Sequence, residues 1–293
     1  MFPALEIGLH TFNWGARTFV MGILNVTPDS FSGDGLLSKG DDICVSLEQA
    51  CRFVEAGVDI LDVGGESTRP GSEPVSAEEE LARVIPVIEL LATQLPDTII
   101  SIDTYKASVA EAALQAGAHI VNDIWGLRAD PGLAAVVKKY DVPVILMHNR
   151  SNPASVEVRE QLGKAYIGPK YDNLLEDVKR ELLESVELAC QAGITKEKII
   201  LDPGIGFGKT VTQNLELIDR LGEIRELGYP VILGSSRKSF IGYTLDLPPD
   251  QRLEGTAATV SVGITRGADI IRVHDAEEIV RIAKMTDALV RRG

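Results

Sequence analysis

Short apolar runs recur along the chain, and most carry a polar residue at or just beyond their end. They fall at 19–26, 60–63, 98–103, 120–123, 144–147, 199–202, 231–234 and 270–274. Between them the apolar spacing changes to three and four. That spacing predicts helices at roughly 44–56, 77–95, 106–116, 132–140, 173–192, 213–227, 255–266 and 276–291. Runs this short and continuously apolar predict strands buried on both faces, as in a parallel sheet covered by helices. Eight strand–helix units in about 270 residues favour an α/β fold of one domain, a closed (β/α)8 TIM barrel, over an open doubly wound sheet. Residues 1–17 form an N-terminal extension that can cap the barrel bottom, and the barrel takes 18–293.

The polar residues carry more information than the fold. In such a barrel the active site lies at the C-terminal ends of the strands. Asn25, Asp62, Asp103, Asn122, Asp202, Arg272 and His274 all stand at such ends. A single strand-end carboxylate reads best as a helix cap or a loop hydrogen bond. A nearly complete ring converging on one mouth points instead to a ligand.

Composition narrows the ligand. The 293 residues include 43 acidic and 29 basic ones, a formal net charge of −14, which argues against nucleic-acid and anionic-membrane partners. No apolar run approaches the ~20 residues needed to cross a bilayer, and the N-terminus lacks the pattern of a signal peptide. Cys44, Cys51 and Cys190 show no metal-ligand spacing and read as buried or half-buried free thiols in a reducing cytoplasm. The acidic run 78–80 opens a predicted helix, where a solvated face favoured by the helix dipole accounts for it. An anionic substrate would therefore need a local cluster of cations.

Such a cluster is present. "RVHD" (272–275) puts Arg272 and His274 on one face of a strand, beside a helix N-terminus. The plainer alternative pairs the arginine with a neighbouring acid such as Asp275. "SSRKS" adds Arg237 and Lys238, and "STRPGS" adds Arg69. "DPGIGFGKT" (202–210) looks like a phosphate loop but is not one. Pro203 stands where the Walker pattern needs its first glycine, and Lys209 where the dinucleotide fingerprint needs its third. Its glycines either let backbone approach a flat ligand or shape a tight loop. Asp103, Asn122 and Asp202 offer acceptors, plus one amide, that suit a heterocycle rich in N–H donors. Hydrogen bonding among themselves at the rim is the alternative.

These motifs carry a family resemblance. "MGILNVTPDSFSGDG" (21–35), "LDVGGESTRPGS" (61–72), "SIDTYK" (101–106), "VNDIWG" (121–126), "LDPGIGFGKT" (201–210), "GSSRKSFIG" (234–242) and "IIRVHD" (270–275) resemble, in order, the bacterial dihydropteroate synthases. The resemblance implies a (β/α)8 barrel, usually homodimeric, that acts in folate synthesis. It would join 6-hydroxymethyl-7,8-dihydropterin diphosphate to 4-aminobenzoate and release diphosphate. It assigns the pterin to Asp103, Asn122, Asp202 and Lys238, between Met147 and Phe207. Diphosphate would lie against Asn25, Thr68, Arg69, Arg272 and His274, with Asn25 also reaching Mg²⁺. Aminobenzoate would lie near Phe31, Thr68, Pro70, Phe207, Lys238 and Ser239. Asp103, Lys238 and Arg272 would be catalytic. Two loops depart from the family's commoner pattern: "FSGDG" displaces Asp34 by one position, and "MHNR" (147–150) differs after its histidine. A pterin-binding methyltransferase on a similar barrel would have little use for "STRPGS", "SRKS" and "RVHD" together, since methyl transfer releases no diphosphate, and an intact Asp103 with the complete cationic set argues against a catalytically dead pterin-binding module. The helix 255–267, rich in small residues, can pack against a second chain or inside its own barrel.

Overall fold

The chain opens on an antiparallel hairpin, β1 (Leu5–Ile7) and β2 (His10–Phe12), before its first barrel strand. The eight apolar runs then form one parallel sheet: β3 (Phe19–Asn25), β4 (Ile60–Gly64), β5 (Ile99–Asp103), β6 (Ile120–Asp123), β7 (Val144–Met147), β10 (Ile199–Asp202), β11 (Ile232–Leu233) and β12 (Ile270–Val273). A second hairpin, β8 (Val156–Arg159) with β9 (Gly163–Tyr166), follows β7 and has no counterpart among the expected elements. The structure is a computed structural model and describes residues 2–26, 39–67, 71–152, 156–159, 162–166, 168 and 170–291.

Sheet order is β10-β7-β6-β5-β4-β3-β12-β11. The two ends meet through a parallel bridge between Leu201 and Val231, with the Leu201 N–H donating to the Pro230 carbonyl at 2.9 Å. The sheet is thus a closed barrel. Around it run α1 (Lys39–Ala56), α2 (Ala77–Gln94), α3 (Ala107–Ala116), α4 (Leu133–Tyr140), α5 (Leu174–Gln191), α6 (Val211–Asp219), α7 (Leu221–Arg225), α8 (Ser239–Leu245), α9 (Leu253–Thr265) and α10 (Ala276–Val290).

Three details depart from the sequence reading. The helix expected at 213–227 breaks at Arg220, yet Leu217, Ile218, Leu221 and Ile224 stay buried across the break, so the apolar period conceals it. The seventh barrel strand is two residues long, Ile232–Leu233, and at its start the Val231 N–H donates to the Asp269 carboxylate (3.0 Å) while the Val231 carbonyl accepts from Ile270 (3.1 Å). Cys44 is exposed, while Cys51 and Cys190 are half-buried, so the expectation of a buried thiol fails for Cys44.

Side chains alternate across each strand. Val20, Leu61, Val63, Ile100, Ile102, Val121, Leu146, Leu201 and Ile271 belong to the cluster packed under the helices. Phe19, Met21, Ile60, Ile99, Ile120, Ile145, Ile200, Ile232 and Ile270 form a separate cluster inside the barrel, together with Leu5, Ile7, Phe12 and Trp14 of the first hairpin. Both faces of every strand are apolar near its start, so the period-two signal is invisible until the polar end. In α9, the small residues serve packing within the chain at two points. A methyl on Gly263 would lie 2.2 Å from Leu233, and one on Gly255 would lie 2.3 Å from Ile241. Among the described residues no helix is long and apolar enough to cross a membrane.

Candidate active site

The inward parity that begins with Met21, Ile60, Ile99, Ile120, Ile200 and Ile270 continues upward. It reaches Asn25 on β3, Asp62 on β4, Ser101 and Asp103 on β5, Asn122 on β6, Asp202 on β10 and Arg272 on β12. Register places Asn25 beside Gly64, Gly64 beside Asp103, and Asp103 beside Asn122. The apolar floor therefore gives way to a polar layer at the barrel mouth.

Arg272 is the hub of that layer. Its Nε donates to Asp62 Oδ2 at 2.6 Å and its Nη2 to Asp103 Oδ2 at 2.5 Å. Asn122 Nδ2 donates to the same Asp62 oxygen at 3.1 Å. The arginine's partners are thus Asp62 and Asp103, while Asp275 pairs with Arg237. Arg237 thus takes the neighbouring acid that the sequence offered as a partner for Arg272. Burial works against the Arg272 charge, but the two carboxylates outweigh it and raise its pKa. The Asp103 side chain is 9 % exposed. Burial pushes its carboxyl from 3.8 up to about 7, Arg272 opposes the rise, and Asp62, Glu80 and Asp123 reinforce it.

Asp202, Lys238 and Arg272 converge on Gly234. A methyl on that glycine would sit 3.9 Å from Lys238 Nζ, 4.0 Å from Arg272 Cβ and 4.0 Å from Asp202 Oδ2. Lys238 donates to the Ile205 carbonyl and lies 4.7 Å over the Phe207 ring, a cation–π contact. Burial lowers its pKa to about 8, with Asp202 and Asp103 resisting. Met147 is buried and registered beside Asp202. His274 meets Ser236 through both its N–H and Nδ1, each at 3.1 Å from the hydroxyl. Ser239 opens α8, half-buried. Phe31, Asp34, Thr68, Arg69 and Pro70 lie outside the described residues.

The glycine loop 203–208 packs on its own chain. Gly204 holds φ +69°, and a methyl there would sit 1.8 Å from the His148 carbonyl oxygen. Lys209 pins this loop from beneath. Its Nζ meets the Gly204 carbonyl (2.8 Å), the Phe207 carbonyl (3.1 Å) and His148 Nδ1 (3.0 Å). His148 Nε2 lies 3.1 Å from Glu181, which also pairs with Arg150. His148 and Arg150 hold Glu181 low despite its burial, so it is an acceptor only and Nε2 must carry the proton. Nδ1 then accepts from Lys209. Burial pushes Lys209 well below its ordinary pKa, yet the three acceptors match the three N–H bonds of the ammonium form, which we favour.

Sequence reasoning placed Asp62 at a strand end without giving it a role, and it missed Lys209. For Asp62 the available signal was parity, since it falls two residues before Gly64 on the same face as Asp103's neighbours. Glu80 also differs from expectation. It is 1 % exposed and pairs with Lys106 at 2.5 Å, and Lys106 in turn holds Glu66, so the run 78–80 is not wholly a solvated face. Asp123 fits the plain strand-end reading, accepting from the Trp125 and Leu127 N–H groups at 2.8 and 2.5 Å.

The family model described as pterin binding enzyme matches residues 21–274. A dihydropteroate synthase of Clostridium beijerinckii is 51% identical over 289 residues, covering 98% of this chain and 100% of that one. One from Bacillus subtilis is 50% identical, covering 94% and 90%. The crystal structure of a dihydropteroate synthase from Clostridium difficile, determined in the presence of pteroic acid, superposes with a TM-score of 0.86. It is 49% identical and covers 96% of this chain and 100% of that one. One from Xanthomonas albilineans, with 4-aminobenzoic acid, gives 0.84 at 40% identity, covering 96% and 94%. By sequence over nearly its whole length and by barrel architecture, this chain belongs to the pterin-binding enzymes and, within them, to the dihydropteroate synthases.

Proposed function

We propose that the chain condenses 6-hydroxymethyl-7,8-dihydropterin diphosphate with 4-aminobenzoate, and that the bond to diphosphate breaks before the amine attacks. As a dihydropteroate synthase the chain is a transferase of folate biosynthesis. The observation that carries the mechanism is the buried Asp103–Arg272 pair beside Asn122, Asp202 and Lys238.

Asn122, Asp202 and Lys238 bind the polar edge of the pterin, and Met147 and Phe207 flank its faces. Arg272 and His274, with Asn25, Thr68 and Arg69, receive the diphosphate. The carbon–oxygen bond breaks with its electron pair leaving on diphosphate, and positive charge spreads from the exocyclic carbon into the ring. Ionised Asp103 stabilises that charge, as a preorganised group does where charge develops. The aniline nitrogen then forms the new bond and sheds its proton to solvent. Phe207, Lys238 and Ser239, with Phe31, Thr68 and Pro70, hold aminobenzoate.

Asn25, half-buried at the end of β3, supplies one carboxamide oxygen. This sparse donor set fits Mg²⁺, which keeps most of its waters and takes phosphate oxygens. Bound there, Mg²⁺ would supply charge neutralisation for the leaving group. A homodimer in the cytoplasm, with residues 1–17 capping the barrel bottom, completes the reading. The test is diphosphate release. It should require both substrates and fall when Mg²⁺ is chelated, whereas release without aminobenzoate at the full rate would sink the assignment.

A further inference from the structure

Asp62 lies one layer below the groups assigned to the substrate. It is 0 % exposed, and one oxygen, Oδ2, accepts from both Arg272 (2.6 Å) and Asn122 (3.1 Å). A carboxylate only accepts, so the Asn122 amide must turn its nitrogen toward Asp62, which leaves its oxygen for a ligand donor. Arg272 is fixed in the same way. With Nε on Asp62 and Nη2 on Asp103, its plane is set by two carboxylates on neighbouring strands, and Nη1 makes no hydrogen bond to a described residue. Asp62 Oδ1 is buried without a partner among the described residues, as is Oγ of Ser101, the residue registered opposite it on β5. Among the described residues, Asp62 is engaged through the oxygen that gathers Arg272 and Asn122.

We propose that Asp62 is a positioning residue for the reaction, gathering Arg272 and Asn122 on one oxygen so that an amide oxygen and a guanidinium edge face the substrate. The inference rests on the reading of the mouth as the pterin diphosphate site. It also has an electrostatic signature. Asp103 is faced by Arg272 from β12, Asp62 from β4, Glu80 from α2 and Asp123 from β6, and the Asp62 charge is among those that raise its pKa. If ionised Asp103 is the working form, kcat/KM rises with pH through about 7 in the parent enzyme.

The test uses the full chain with Mg²⁺ and both substrates. Asp62→Ser cannot reach either donor, and kcat/KM for the pterin diphosphate should fall about 100-fold, the scale of a small misplacement of reacting groups. KM for aminobenzoate should stay unchanged. Asp62→Asn keeps an acceptor but loses the charge. It should lose less activity and move the acidic limb of the pH profile to lower pH. Activity of Asp62→Ser within threefold of the parent overturns the proposal. So does an unmoved limb in Asp62→Asn, provided that Asp103→Asn abolishes the limb. If the limb persists in Asp103→Asn, the assignment of Asp103 fails instead, and the Asp62→Ser comparison alone decides. Should Asp62→Ser not fold, the near-isosteric Asp62→Asn carries the test, with a normal limb and normal kcat/KM refuting it.

Discussion

Asp103→Asn should slow the enzyme and gain stability relative to the parent as pH rises. The side chain keeps its shape and loses its charge. Removing one preorganised electrostatic group typically costs about 10²–10³ in turnover, and pterin affinity should change far less. The stability effect follows from burial. The folded-state pKa of Asp103, about 7, lies above its ordinary 3.8. Its contribution to stability is therefore fully present below about pH 4 and is lost as pH rises through about 7. The gap between 3.8 and about 7 bounds from above, at roughly 4 kcal/mol, what ionised Asp103 costs the folded state. The ionised contact with Arg272 is already contained in the folded-state pKa, and exchanging the protonated acid for an amide adds an offset independent of pH, so the diagnostic quantity is the slope. Urea denaturation of the parent and of Asp103→Asn should diverge in the variant's favour between pH 5.5 and 8.5, most steeply below pH 7, by one to a few kcal/mol. A stability difference constant across that range, or near-normal turnover, would refute the reasoning.

Arg272→Ala and His274→Ala should weaken calorimetric binding of the diphosphate substrate and of free diphosphate, and leave a pterin without diphosphate almost unaffected. Equal losses for both ligands would remove the pair from the anion site. In the parent, raising salt should weaken diphosphate binding, because the contact is charge-assisted. Aminobenzoate should bind weakly alone, and more tightly with Mg²⁺, diphosphate and a pterin product analogue present. Its proposed contacts include Thr68, adjacent in sequence to Arg69, which is proposed to meet diphosphate. Equal affinity in both conditions would mean a preformed second site. Lys209→Met should lower stability by about 2–4 kcal/mol, because it leaves buried carbonyls and His148 without their donor. An unchanged denaturation midpoint would show that the loop 203–208 needs no such pin.

The barrel was legible because parallel strands buried on both faces leave short apolar blocks, and eight such blocks alternating with helices suit few folds. The ring of strand-end residues was legible for a related reason. A polar residue ending an apolar block is conspicuous, and Asp103, Asn122, Asp202 and Arg272 all stand out in this way. What stayed hidden depends on contacts distant in sequence. Nothing near Arg272 reveals that its partners lie 210 and 169 residues away. Lys209 sits in a motif that resembles a phosphate loop, and only its three buried acceptors show that it fastens the chain to itself. The β8–β9 hairpin was missed because a lone two-stranded ribbon carries little of the patterning that marks a core strand.

The split of each barrel strand between an inner and an outer cluster has a consequence for how the chain finds its register. Near the strand starts the two faces are almost equally apolar, so hydrophobicity alone barely distinguishes a strand from the same strand shifted by one residue. The polar ends make the distinction. A one-residue shift of β5 would turn Ser101 and Asp103 toward the helices and bring Ile100 and Ile102 inside, away from Arg272. Bringing a carboxylate under the helix layer without a partner would cost several kcal/mol. The residues that meet the substrate therefore also act as alignment keys during folding. Replacing several of them at once with apolar residues should yield a barrel with competing strand registers, even where each single replacement is harmless to stability.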